Sequence, residues 1–349
     1  MPLAIPADFE TYINSNPPSL GLNPATKYTL TELSGGTANF VFRLTSADAR
    51  STILKHAEPF LRDHPSITFP LERVNTEAHV LRTLSSLLPA SLKSEAVEPV
   101  ALIGYDKQAH TLHLSDAGNR TLKDAYADMS TETVQASGRR LGRWIAGLHS
   151  ATEKLNEDVL GVNGVARTMY RFLYNNIGES LAESGLDQRL GDAVNAEFGS
   201  KLATDDVCQC HGDFWPANVI LDDSEEPRLT VIDWEMSRRG NGATDVGQFA
   251  AESWLLDRFR GNKGLMNAFL KAYAATRQIR DEDRVRVAAH FGTHLAYWPT
   301  QVRWVQWGNN EETTECVKLG VEIMERAMAR DLAWFEGSVL KELFTGRVG

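Results

Sequence analysis

Apolar residues recur along this chain with two periods, and the change comes near residue 115. Before it the apolar runs are short and bounded by turn residues. Residues 28–33, 40–43, 51–55, 97–105 and 110–114 read as strands. One helix interrupts them: over 71–88, Val74, Ala78, Leu81 and Leu84 share a face. A short amphipathic helix over 7–15 carries Phe9, Tyr12 and Ile13, and residues 16–24 read as a loop. After Ser115-Asp116-Ala117-Gly118 the spacing becomes helical. Residues 131–150 place Val134, Leu141, Ile145 and Leu148 on one face, and further helices are predicted within 156–200 and over 265–276, 282–307 and 311–329. The expectation is an α+β chain in two parts: a β-rich lobe over 1–115 and a mainly helical lobe over 116–349.

The bulk properties narrow this. The 349 residues suffice for one large or two medium domains. A net charge of −10 argues against nucleic acid as a partner, because a phosphate backbone wants a basic surface. Three cysteines are too few for a disulfide framework and fit a reducing compartment. Cys208-x-Cys210-His211 suggests zinc, but no clear further ligand pair follows. The first residues show no basic, apolar leader, and no run approaches the ~18 apolar residues of a membrane span. A cytoplasmic protein without membrane attachment is expected; the oligomeric state has no sequence trace.

Candidate chemistry concentrates between Cys210 and Asp245, in CHGDFWPANVILDDSEEPRLTVIDWEMSRRGNGATD. His211-x-Asp213-x-x-x-x-Asn218 sets a carboxylate on a turn with an amide five residues on, and an apolar run through Leu229, Val231 and Ile232 delivers Asp233. A carboxylate placed to accept a hydroxyl proton, with two hard oxygen ligands beside it, is equipment for phosphoryl transfer with Mg2+. The bland alternative is a His-Gly-Asp turn that caps a hairpin. Upstream, Ser34-Gly35-Gly36-Thr37-Ala38-Asn39 separates two predicted strands, and glycine lets backbone approach phosphate oxygens. Lys55 ends the next apolar run, where an ammonium suits a phosphate.

HGDFWPAN followed by VIDWE resembles the catalytic and metal-binding segments of the aminoglycoside phosphotransferase and choline kinase superfamily. The stretch LKHAEP resembles two branches of it, the methylthioribose kinases and the fungal hydroxytryptamine kinases; Trp304 to Gly308 with Glu311 and Glu312 again resembles the latter. The resemblance implies a bilobal protein-kinase-like fold that transfers the γ-phosphoryl group of ATP to a small-molecule hydroxyl. It implies Asp213 as catalytic base, and Asn218 and Asp233 as Mg2+ ligands. Ser34, Gly35, Gly36 and Asn39 would cover the nucleotide. Lys55 would hold its phosphates, braced by Glu77 or alternatively Glu72. A hinge at Leu114 to Asp116 would meet adenine through backbone groups. HGDFWPAN departs from the methylthioribose kinase pattern, which leaves a hydroxylated amine or alcohol beside the sugar as acceptor. A catalytically silent nucleotide-binding module or a partner-binding protein is the alternative.

Other residues keep two readings. Glu235 is either a contact to metal or substrate or a solvated side chain. Asp245 either caps the next helix or braces the catalytic loop. The aromatic-rich region with His290, His294, Tyr297, Trp298, Trp304 and Trp307 is either core or a wall of the acceptor pocket.

Overall fold

The computed structural model describes residues 6–345 except 16, 17, 24, 34, 35, 90, 91, 93, 94, 156–160, 162, 225 and 302–309. Helix α1 (Pro6–Asn14) precedes strands β1 (Tyr28–Glu32), β2 (Phe40–Ser46) and β3 (Ser51–His56). A small hairpin follows, β4 (Phe60–Leu61) with β5 (His64–Thr68), then helix α2 (Glu72–Leu87). Strands β6 (Val97–Pro99), β7 (Leu102–Asp106) and β8 (Thr111–Ser115) complete the first part, and β9 (Arg120–Thr121) follows it. Five of these strands form an antiparallel sheet in the order β1-β2-β3-β8-β7.

Alternation along β2 and β3 decides what each face of that sheet does. Phe42, Leu44 and Leu54 turn to one face and close a small core with Phe9, Ile13, Leu20 and Leu22, beneath α1. Their neighbours Val41, Arg43, Ile53 and Lys55 take the opposite face. Lys55 pairs with Val41 and Leu112, and Ile53 with Arg43 and Leu114.

The second part is helical around a few short strands. Helices α3 (Thr131–Thr152) and α4 (Gly164–Glu183) lead to strands β10 (Cys208–Cys210), β11 (Val219–Leu221), β12 (Leu229–Val231) and β13 (Arg238–Gly240). Helices α5 (Ala243–Arg260), α6 (Leu265–Thr276), α7 (Asp281–Gln301) and α8 (Asn310–Met328) follow. The predicted strand at 97–105 is two pieces. Pro99 ends the first, and β6 joins a second sheet, order β6-β12-β11-β9, by a parallel pairing with β12.

Arg238 to Gly242 reads in the sequence as a turn with two cations, and this is corrected. Arg238–Gly240 is a buried strand paired with Cys208–Cys210. Its charges are absorbed by distant partners: Arg239 Nε donates to Asp206 Oδ1 (2.5 Å), and Arg238 lies 3.8 Å above the Tyr170 ring. Trp304 and Trp307 lie outside the described residues, whereas Tyr297 is buried and Trp298 packs against the main core. No described helix is long and apolar enough to cross a membrane.

The main core runs through α3, α5, α6 and α7, with Trp144, Phe249, Phe269 and Phe291 fully enclosed. Close helix packing sets its dimensions. A Cβ added at Gly142 of α3 would lie 2.4 Å from the Phe269 carbonyl of α6. Gly142→Ala should therefore destabilise by about 1–3 kcal/mol through overpacking, despite the roughly 1 kcal/mol of helix propensity it gains. The check is a lower denaturant midpoint at unchanged slope. Gly164→Ala, where an added Cβ meets nothing within 4 Å, should stay within about 0.5 kcal/mol of the parent.

Candidate active site

Lys55 reaches from β3 into a buried cluster of carboxylates. Its Nζ donates to Glu77 Oε2 at 2.6 Å and to Asp233 Oδ1, and lies 3.7 Å from Glu235 Oε2. Glu77, not Glu72, is the helix partner. It is fully buried in α2, and its second oxygen accepts the Trp234 amide at 3.1 Å. Burial works against the ammonium of Lys55, yet the charges of Asp233, Glu235 and Glu77 outweigh this and raise its pKa above the ordinary lysine range. Burial likewise opposes ionisation of Asp233, and Lys55 overcomes it, holding that carboxyl below its usual range.

Asp233 ends the β12 run with φ +66°, ψ +63°, a left-handed conformation sparsely used by non-glycine residues. That turn swings Trp234 into the core and Glu235 back toward the sheet. Glu235 is buried, not solvated: its Oε2 accepts from Asn39 Nδ2 (2.9 Å) and Arg73 Nε (3.2 Å). Arg73 also donates to Asn39 Oδ1 at 3.0 Å, so the Asn39 side chain is committed to this network. Ser34 and Gly35 lie outside the described residues. Gly36 has open space where a Cβ would be, and its carbonyl accepts from Arg62 Nη2 at 2.5 Å.

The segment from His211 to Asn218 is fixed from below. Gly212 has φ +88°, and a Cβ there would fall 1.9 Å from the Met236 carbonyl, so only glycine lets the loop lie against the segment after Asp233. His211 accepts the Asp213 amide at Nδ1 (3.2 Å) and bonds the Ile232 carbonyl through Nε2 (3.0 Å), bridging the two halves of the motif. Burial lowers the His211 pKa, which suits the neutral ring these partners require. Asp245 is a brace, not a cap. It accepts the His211 and Gly212 amides at 2.7 and 3.0 Å, while His149 Nε2 holds it at 3.1 Å. The helix itself begins at Ala243.

On this support stands Asp213. Its Oδ1 accepts from Gln248 Nε2 (2.7 Å) and its Oδ2 from Asn218 Nδ2 (2.9 Å). Asn218 Nδ2 also donates to the Asp213 carbonyl (2.8 Å), which leaves its amide oxygen for another partner. Burial and the charge of Asp233 push the Asp213 carboxyl up to about 7, against these two amide donors. Asp213 is thus a carboxyl of unusually high proton affinity, aimed by amides and close to a second carboxylate. Such a carboxyl suits a proton acceptor in neutral solution.

Leu114 is buried on β8 across from Ile53, and Asp116 follows it. Arg43 Nε donates to Asp116 Oδ2 at 2.5 Å, and Arg43 Nη2 to Oδ1 and to the Gly118 carbonyl at 3.1 and 2.9 Å. This clasp ties β2 to the segment after β8, beside an open cavity of about 360 Å3 lined by Thr45, Ser51 and Asp222.

Sequence reasoning missed Arg43, Arg73 and Gln248. Arg73 had a signal, since it stands four residues before Glu77 on one face of α2. Gln248 had a weaker one, three residues after Asp245. The zinc set suggested by Cys208, Cys210 and His211 does not assemble: the His211 nitrogens are taken by the Asp213 amide and the Ile232 carbonyl, and the histidine beside the two cysteines is His149, whose nitrogens are occupied by Asp245 and by the Tyr273 hydroxyl (3.1 Å).

A family model described as "Phosphotransferase enzyme family" matches residues 29–288. A 4-hydroxytryptamine kinase of Psilocybe cyanescens is 30% identical over 317 residues, covering 84% of this chain and 86% of the relative. A 4-hydroxytryptamine kinase of Psilocybe cubensis is 25% identical, covering 90% and 91%. Among solved structures, a mutant aminoglycoside 2′-phosphotransferase-IIIa in its GDP complex superposes with a TM-score of 0.53 at 13% identity, covering 94% of this chain and 99% of that one. That likeness establishes the protein-kinase-like fold. With three quarters of its length inside the family model, the chain belongs to the phosphotransferase enzyme family, as an ATP-dependent kinase of small hydroxyl-bearing molecules.

Proposed function

We propose that the chain phosphorylates the hydroxyl of a small aromatic amine, with 4-hydroxytryptamine as the first acceptor to test. The observation that carries the chemistry is the convergence on one spot of Asp213, Asn218 and the Lys55–Glu77–Asp233 cluster. The acceptor class comes from the relatives, whose extent of similarity favours the amine over the methylthioribose reading.

In this proposal residues 1–115 hold the nucleotide from above and residues 116–349 supply catalysis and the acceptor site. Leu114 to Asp116 meets the base through backbone groups. Lys55, kept charged and aimed by Glu77, takes the α- and β-phosphates, with Ser34, Gly35, Gly36 and Asn39 as the residues proposed to cover them. Asp213 orients the acceptor hydroxyl and takes its proton as the bond to phosphorus forms; Gln248 and Asn218 fix the carboxylate for that transfer.

The residues fit a magnesium ion. Asp233 offers an ionised carboxylate, Asn218 an amide oxygen, and the oxygens of Glu77, Asp233 and Glu235 lie within 4.8 Å of one another. A Mg2+ held by Asp233 and Asn218 would neutralise charge on the transferring phosphates.

Asp213→Asn keeps the shape and removes the base. It should lower turnover by roughly 100- to 10,000-fold while leaving the KM for ATP near its parent value. The measurement is ADP release across 4-hydroxytryptamine, methylthioribose, choline, ethanolamine and an aminoglycoside. Turnover on the amine that survives in the variant would overturn the assignment of the base.

Asp233→Ala tests the metal assignment separately. Turnover with Mg-ATP should fall by about two orders of magnitude or more. A chelator should bring the parent down to a similar level and leave the variant little changed. Normal turnover of the variant with Mg-ATP would refute Asp233 as ligand.

A further inference from the structure

A line of hydrogen-bonded side chains from helices α4, α7 and α5 ends on Asp213. Tyr174 and Tyr170 stand one turn apart on α4, His290 lies on α7, and Gln248 lies on α5. The Tyr174 hydroxyl bonds His290 Nδ1 (3.1 Å), and His290 Nε2 bonds the Tyr170 hydroxyl (3.2 Å). That hydroxyl bonds Gln248 Oε1 (3.0 Å), and Gln248 Nε2 reaches Asp213 Oδ1 (2.7 Å). Packing leaves the His290 ring little freedom. It stacks on Tyr170 with centroids 5.5 Å apart and planes 15° from parallel, and a Cβ added at Gly247 would meet its side chain at 2.9 Å.

The supply of donors gives this line one direction. An ionised Asp213 only accepts, so Gln248 must turn its Nε2 to the carboxylate and its Oε1 to Tyr170. The amide oxygen also only accepts, so the Tyr170 hydroxyl donates its single proton there. The Thr244 carbonyl, 3.5 Å from the same hydroxyl, is the more distant acceptor. With its proton committed, Tyr170 can only accept from His290, which therefore carries a proton on Nε2. Burial lowers the His290 pKa well below the ordinary value, so the ring is neutral and Nδ1 is left to accept from Tyr174. Burial also keeps both tyrosine hydroxyls protonated. Every proton in the line points toward Asp213.

The Gln248 amide is the weak point of that line. Its oxygen and nitrogen ends are nearly equal in size, and the torsion that exchanges them is soft. Without a donor at Oε1, a half turn of the amide sets its oxygen against the carboxylate and withdraws the hydrogen bond that aims it. We infer that Tyr170 and His290 are positioning residues, which select the orientation of the Gln248 amide that holds Asp213 toward the acceptor hydroxyl. This rests on Asp213 as the base and extends its support to α4 and α7.

The test is steady-state kinetics on the acceptor that the parent turns over fastest in the panel above, with thermal unfolding of each variant. Tyr170→Phe keeps the ring and removes the donor. It should lower kcat by roughly 5- to 50-fold and leave KM for ATP and for the acceptor within about twofold of the parent. Gln248→Leu should lose at least as much. Adding Tyr170→Phe to it should change kcat by less than about twofold, since the hydroxyl then has no amide to orient. His290→Gln, whose amide nitrogen can stand in for Nε2, should keep kcat within about threefold of the parent, while His290→Leu should match Tyr170→Phe. Should Tyr170→Phe fail to fold, the two His290 variants carry the same comparison. Losses that multiply in the double variant, a Tyr170→Phe that raises KM at unchanged kcat, or equal activity of His290→Gln and His290→Leu would overturn the inference. Turnover that survives in Asp213→Asn fails the base assignment instead, and removes the inference with it.

Discussion

The candidate active centre depends on keeping opposite charges paired out of water. Lys55 and Arg73 face Glu77, Asp233 and Glu235, two positive groups against three negative, contributed by a strand, a helix and the turn after β12. Such a cluster is expensive to bury, and removing one partner from a buried pair typically costs about 3–5 kcal/mol because the other charge is stranded. That asymmetry makes the cluster a fastener. The sheet, α2 and the segment following β12 hold one arrangement because any other leaves a charge exposed to apolar surroundings. The residual negative charge also has a chemical use. Together with burial, it raises the proton affinity of Asp213.

Support for the loop follows the same logic at lower charge. The amides of His211 and Gly212 would be orphaned donors in a buried turn, and Asp245 takes both. His149 then holds Asp245 from α3, and Tyr273 holds His149 from α6. The loop that carries the Asp213 carboxyl is thereby hung on three helices of the core. His211 completes the connection by bridging the Asp213 amide to the strand that ends at Asp233.

How much of this was legible in the sequence depended on distance along the chain. Lys55 and Glu77 could be matched because a lysine at a strand end and a carboxylate on the next helix leave few other pairings. The mutual contacts of His211, Asp213 and Asn218 were legible because these residues are packed into eight positions. Arg43 was not: its partner Asp116 lies 73 residues away, and an arginine on a strand gives no sign of which face will be covered. Arg73 meets Glu235 over 162 residues and Gln248 meets Asp213 over 35. Arg238 to Gly240 was misjudged for the same reason. Two adjacent arginines look solvated until Asp206 and Tyr170 are brought to them by the fold. Local pattern gave the elements; the partners of buried charges are set by tertiary structure, which period and propensity do not encode.

Helix α5 links these constraints to one another. Asp245, Gln248 and Glu252 stand at spacings of three and four, the repeat that puts side chains on one helical face. The first accepts the amides of His211 and Gly212, the second donates to the Asp213 carboxylate, and the third meets His294 of α7. Since all three ride on one helix, their separations are set by helical rise and not by a loop. The residue that braces the turn and the residue that orients its carboxylate are one helical turn apart, so the Asp213 side chain is held in register with the backbone it stands on.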